Sequence, residues 1–151
     1  MCNIVHISTT GPEDLSQAPE CGWLLSAPDP SEYPDSQGLL RFPHKWYLQG
    51  RYGGCSCHFR HTIYSEAQPP TFGVPEDWYP EDPENIEDTG RVYELLTRLV
   101  REGHRVDVLD SWNGEWTGDK TEDVETVTVK VSELCREEFR FFEGYRLDFV
   151  P

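Results

Sequence analysis

Several things are scarce in this sequence, and each scarcity excludes a class of protein. Lys and Arg total 13 against 28 Asp and Glu, for a formal charge of −15. Sequence-independent nucleic-acid binding needs a surplus of cations against phosphates, so no nucleic-acid partner is expected. An anionic membrane surface is disfavoured for the same reason. No apolar run approaches the roughly 20 residues that span a bilayer, so no membrane association is expected. The start, Met1-Cys2-Asn3-Ile4-Val5-His6, has neither a basic n-region nor an apolar h-region. No Asn-x-Ser/Thr sequon occurs. A cytoplasmic location is expected, with the five cysteines as reduced thiols and no disulfide framework. Gly-x-Gly-x-x-Gly, the Walker A loop, Gly-x-Ser-x-Gly and His-Glu-x-x-His are all missing.

Aromatics are present in quantity: five Trp, seven Tyr and seven Phe, 13% of the chain. Acidic disordered chains lack them, so a folded core is expected. At 151 residues the chain has room for one domain, residues 1–151, and hardly for two.

The pattern predicts an α+β fold, a largely antiparallel sheet with one main amphipathic helix (about 89–102) packed on one face and long Pro-rich loops. Strand patterns fall at 2–8, 104–110 and 124–131, with one or two short strands in 141–150. Val92, Leu95, Leu96, Leu99 and Val100 form a single helical stripe. Thr89 is a candidate N-cap, with an earlier start at Pro83 capped by Asp82 as the alternative, and Gly103 sits where a C′ glycine belongs. Residues 132–140 are compatible with a short helical turn. Residues 9–36 and 66–83 read as long Pro-rich loops. Asn113-Gly114 predicts a turn between Trp112 and Trp116.

The chemically suggestive segment is Lys45–Ile63. A two-residue turn at Gly53-Gly54 predicts a hairpin pairing Tyr52 with Cys55, Gly50 with Cys57, Leu48 with Phe59 and Trp46 with His61. Cys55 and Cys57 then stand about 6.6 Å apart on one face, a spacing that suits shared ligation of one ion better than a disulfide. His61 lies about 13 Å further along and cannot join them without a kink. Cys2 or His6 could supply a third ligand if the first strand passes nearby. Thiolate ligands favour Zn²⁺, Cu(I) or Fe over Mg²⁺.

Charge isolates the same segment. Residues 36–65 contain no acid, while Arg41, Lys45, Arg51 and Arg60 bring +4. Cationic neighbours favour thiolate; alternatively, these residues pair with the acids of 66–88.

Met1-Cys2, Gly54-Cys55-Ser56-Cys57-His58-Phe59, the helix and Trp112-Asn113-Gly114 resemble a group of small uncharacterised bacterial proteins. That group opens with Met-Cys and carries Gly-Cys-x-Cys-x-Phe and a later Trp-x-Gly. The resemblance touches three or four places across most of the chain and implies no activity, so it supplies no catalytic residues.

Three readings stand at this point. The first is a small transition-metal protein, with Zn as the expected cofactor and Cys2, Cys55, Cys57 and His6 as candidate ligands. The second is an enzyme or sensor with a reactive low-pKa cysteine, its substrate unspecified. The third is a non-enzymatic acidic interaction protein with buried structural thiols. The acidic loops leave a protein partner or a second copy of the chain open. His58, His61, Arg60, Trp112 and Glu115 are further pocket candidates, and Cys21 and Cys135 read as packing residues.

Overall fold

A computed structural model describes residues 2–62, 72, 81–112 and 124–151. The elements are β1 (Asn3–Thr9), β2 (Leu25–Ser26), α1 (Pro34–Gly38), β3 (His44–Leu48), β4 (His61–Thr62), α2 (Pro83–Arg101), β5 (Val106–Trp112), β6 (Thr126–Lys130), β7 (Phe141–Phe142) and β8 (Arg146–Val150). Six strands form one sheet in the order β2-β3-β1-β5-β8-β6. Its pairs are antiparallel except β6 with β8, and β4 and β7 form a small parallel sheet of their own. The fold is α+β, with one main helix and a largely antiparallel sheet. Among the described residues, no helix is long and apolar enough to cross a membrane.

β1 sits inside the sheet, between β3 and β5, and every one of its residues is buried. Facing residues in an antiparallel ladder share a side. Val5 and Ile7 therefore lie with Leu48 and Trp46 of β3 and with Asp110 and Val108 of β5. Val5, Ile7, Val106, Val108, Leu147 and Phe149 enter one buried cluster with the helical stripe Val92, Leu95, Leu96, Leu99 and Val100. The opposite side has a smaller cluster, Leu109 with Leu39, Leu40 and Val124. Beside it, Arg41 spans Asp107 (2.9 Å) and Asp148 (2.6 Å).

α2 starts at the earlier of the two candidate positions. Pro83 is its first residue, and the Asp82 side chain accepts from the Glu84 N–H (2.8 Å). Both are the ordinary chemistry of a helix start. Thr89 is consequently interior, and its hydroxyl receives the Arg60 N–H (2.9 Å). Gly103 closes the helix with φ +89°, a conformation that glycine adopts without penalty.

The expected Gly53-Gly54 hairpin does not form. β3 ends at Leu48, and its partners are β1 and β2, not the residues after the glycines. Trp46 faces Ile7 instead of His61. Gly53 and Gly54 do take positive φ, +83° and +87°, but as the tip of a loop. The chain returns as a 3-10 turn, Ser56–His58, and not as a strand. Gly50 makes the return possible: a Cβ there would stand 3.2 Å from the His58 Cβ. Residues 131–138 form turns without a helix. The Asn113-Gly114 turn and Glu115 lie outside the described residues.

Candidate metal centre

The 3-10 turn lies beside the start of β1. The β1–β3 ladder runs from Thr9–His44 to Val5–Leu48 and stops there. Ser56 and Cys57 then satisfy two β1 amides. The Val5 N–H donates to Ser56 Oγ (2.9 Å), and the Asn3 N–H donates to Cys57 Sγ (3.1 Å). Side chains of the turn thus take bonds that a longer β3 would have made. Buried backbone amides require such partners.

Ser56 is the anchor. It is fully buried, and its hydroxyl also donates to the Leu48 carbonyl. Its own carbonyl accepts from His61 Nε2 (2.7 Å), while His61 Nδ1 meets Asp110 (2.7 Å). Burial opposes charge on His61, but the Asp110 carboxylate and the Ser56 carbonyl outweigh it and hold its pKa above the ordinary value. With an acceptor at each ring nitrogen, the imidazolium suits this position. Asn3 Nδ2 adds a bond to Asp110 (3.3 Å).

With Ser56 turned inward, its neighbours are free to share a different side. The sulfurs of Cys2, Cys55 and Cys57 all lie within 4.8 Å of one another. Cys57 is exposed, and Cys2 and Cys55 are half-buried. A tetrahedral ion with Zn–S bonds of about 2.3 Å spaces its sulfurs about 4 Å apart. Three sulfurs so placed could hold one metal ion.

Cys55 and Cys57 are shifted in opposite directions. At Cys55 burial opposes ionisation, but hydrogen bonds from the Cys57 amide and thiol and from the Cys2 thiol outweigh it, so its pKa falls below the ordinary value. At Cys57 burial and the adjacent Cys55 push the pKa up to about 12. One thiolate forms at the expense of its neighbour, because like charges in close contact oppose each other. A bound cation would relieve that opposition.

The other candidates go elsewhere. His6 is not part of the thiol group. It is buried between the rings of Tyr33 and Tyr47, with centroids at 6.2 and 5.5 Å. Burial, then the nearby Lys45 charge, lowers its pKa to about 4. His58 Nε2 meets Asp88 (2.7 Å), which also takes Arg51 (2.6 Å). Arg60 is buried and paired with Glu81 (2.8 Å). Of the cations in the 36–65 window, Arg41, Arg51 and Arg60 therefore pair with acids, those of Arg51 and Arg60 at or near the start of α2, while Lys45 donates to the Gln37 carbonyl (2.8 Å). Trp112 is 41% exposed at the end of β5. Cys21 is buried in the main core as expected, but Cys135 is exposed and so is not a packing residue.

No family model, curated protein or solved structure matches this chain. Three residues that build the site escaped the sequence reading in their roles: Ser56, His61 and Asp110. The available signal was a serine between two cysteines, flanked within a few residues by a histidine.

Proposed function

We propose that this protein binds a transition metal ion, Zn²⁺ foremost, through Cys2, Cys55 and Cys57. The single observation that carries the reading is the convergence of three sulfurs from two distant stretches of chain to within 4.8 Å. Borderline-soft zinc and thiolate are well matched, and hard Mg²⁺ is not. The N–H of Asn3 directed at Cys57 Sγ supports thiolate there once a cation is bound. The Ser56 and His61 bonds fix the turn, so two of the three ligands are preorganised. Three sulfur ligands would leave one position of a tetrahedron for water or another ligand, and Cys57 is the exposed member of the set.

Elemental analysis of protein purified without a metal-affinity step tests this directly. The expected result is one zinc per chain in the wild type and loss of that zinc in Cys55→Ser. A metal-free wild type that takes up no zinc on titration overturns it.

A further inference from the structure

Three sulfurs this close together can exchange electrons as well as hold an ion. We propose that the same site is a thiol–disulfide couple, in which a hydroperoxide oxidises Cys55, Cys2 closes a disulfide with it, and the disulfide excludes the metal. The exclusion rests on the metal reading above; the couple itself does not.

The argument is geometric. Cys2 and Cys55 come from separate stretches of chain, yet the fold brings their sulfurs together. All three sulfurs lie within 4.8 Å of one another, so closure needs a shift of a few ångströms and no refolding. The third sulfur is held back: Cys57 Sγ receives the Asn3 N–H, and its turn is pinned through buried Ser56. Cys2 therefore resolves, and Cys57 remains a thiol. An oxidant can reach the site, because none of the three is buried, in contrast to Cys21.

The chemistry balances in two displacements. The Cys55 thiolate attacks one peroxide oxygen, the O–O bond breaks, and hydroxide (or alkoxide) leaves. Cys55 is then a sulfenic acid. The Cys2 thiolate attacks that sulfur, the S–O bond breaks, and hydroxide leaves as water after protonation. Two thiols have lost two electrons and two protons, and the peroxide has become two molecules of water, or one of water and one of alcohol. A dithiol reverses the reaction by exchange. Closure removes two of three ligands, and Cys57 alone cannot retain the ion.

The test treats zinc-loaded protein with one equivalent of hydrogen peroxide. Free thiols, released zinc and disulfide-linked peptides are then measured. Two of the five thiols should disappear, a Cys2–Cys55 peptide should appear, and one zinc should leave per disulfide. Dithiothreitol should restore the thiols and zinc uptake. Cys57→Ser, treated in the same way, should still form the Cys2–Cys55 link. Zinc retained after peroxide, or oxidation of Cys55 to the sulfinic acid without a link, overturns the couple and leaves the metal reading standing. A wild type that binds no zinc but still closes Cys2–Cys55 overturns the metal reading and keeps the couple.

Discussion

The helix-covered side of β1 and the thiol-bearing turn at its start are stabilised in different ways. Under α2, hydrocarbon meets hydrocarbon: Val5 and Ile7 share a buried cluster with Leu95, Leu96 and Leu99. At the turn, where the β1–β3 ladder ends, the closing contacts are hydrogen bonds from the Val5 and Asn3 amides to Ser56 Oγ and Cys57 Sγ, and from His61 to the Ser56 carbonyl. The first region needs only the right apolar period and volume. The second needs particular atoms at particular backbone groups. One region supplies stability and the other uses it to hold sulfurs in place.

The largest expected effect belongs to the helix side. Leu96→Ala removes a fully buried side chain and should cost about 3 kcal/mol in denaturant unfolding. Zinc stoichiometry under native conditions should not change. A variant that loses zinc in step with stability would erase the distinction between the two regions.

The buried histidines test the contrast by pH. His6 packs against the Tyr33 and Tyr47 rings with the Lys45 charge nearby, and its pKa is lowered to about 4, whereas it regains an ordinary value near 6.5 on unfolding. Between these values the unfolded chain binds the proton and the folded one does not. Stability should therefore fall as pH drops from 6.5 to 4, by up to about 3 kcal/mol. His6→Phe should flatten that fall in unfolding curves taken at several pH values. His61 has the opposite sign: its raised pKa contributes stability that is present at low pH and lost as pH rises through the folded value.

Ser56→Ala comes next. It leaves the Val5 N–H and the Leu48 carbonyl without their partner, at a cost of about 2 kcal/mol. Unlike Leu96→Ala, it should also weaken zinc binding in a competition assay with a chromogenic chelator. The smallest effect is that of His61→Gln, which releases the Ser56 carbonyl and Asp110 from a charged partner. Zinc affinity should fall about tenfold, the lower end for groups that orient ligands. If His61→Gln changes stability but not zinc affinity, the network supports the fold and does not position the ligands.

The same contrast explains what could be read in advance. The stripe Val92 to Val100 and the β-branched runs repeat at the periods of helix and strand, and they delivered β1, β5 and β6 with boundary shifts of one or two residues and α2 with a start six residues before residue 89. The Lys45–Ile63 segment alternates well enough to suggest a hairpin, but alternation does not name the partner strand. β3 took β1, some forty residues earlier, because that pairing buries Leu48 against the core. Cys2, Cys55 and Cys57 nonetheless all stand among the four candidate ligands, His6 being the fourth, because thiol and imidazole chemistry limits which residues can cooperate. The anchors were illegible because a serine hydroxyl satisfying a strand-end amide follows no period. The parallel pairing of β6 with β8 was missed for a related reason: it depends on how residues 131–145 cross over, not on either strand's own pattern.

The central claim is that three sulfurs surround one ion. Zinc K-edge X-ray absorption on the zinc-loaded protein tests it most directly. The account predicts a first shell of three sulfur scatterers at about 2.3 Å, completed by one light-atom scatterer, and loss of the bound zinc in Cys57→Ser as in Cys55→Ser. A shell of nitrogen and oxygen alone, or a spectrum unchanged in Cys57→Ser, would contradict it.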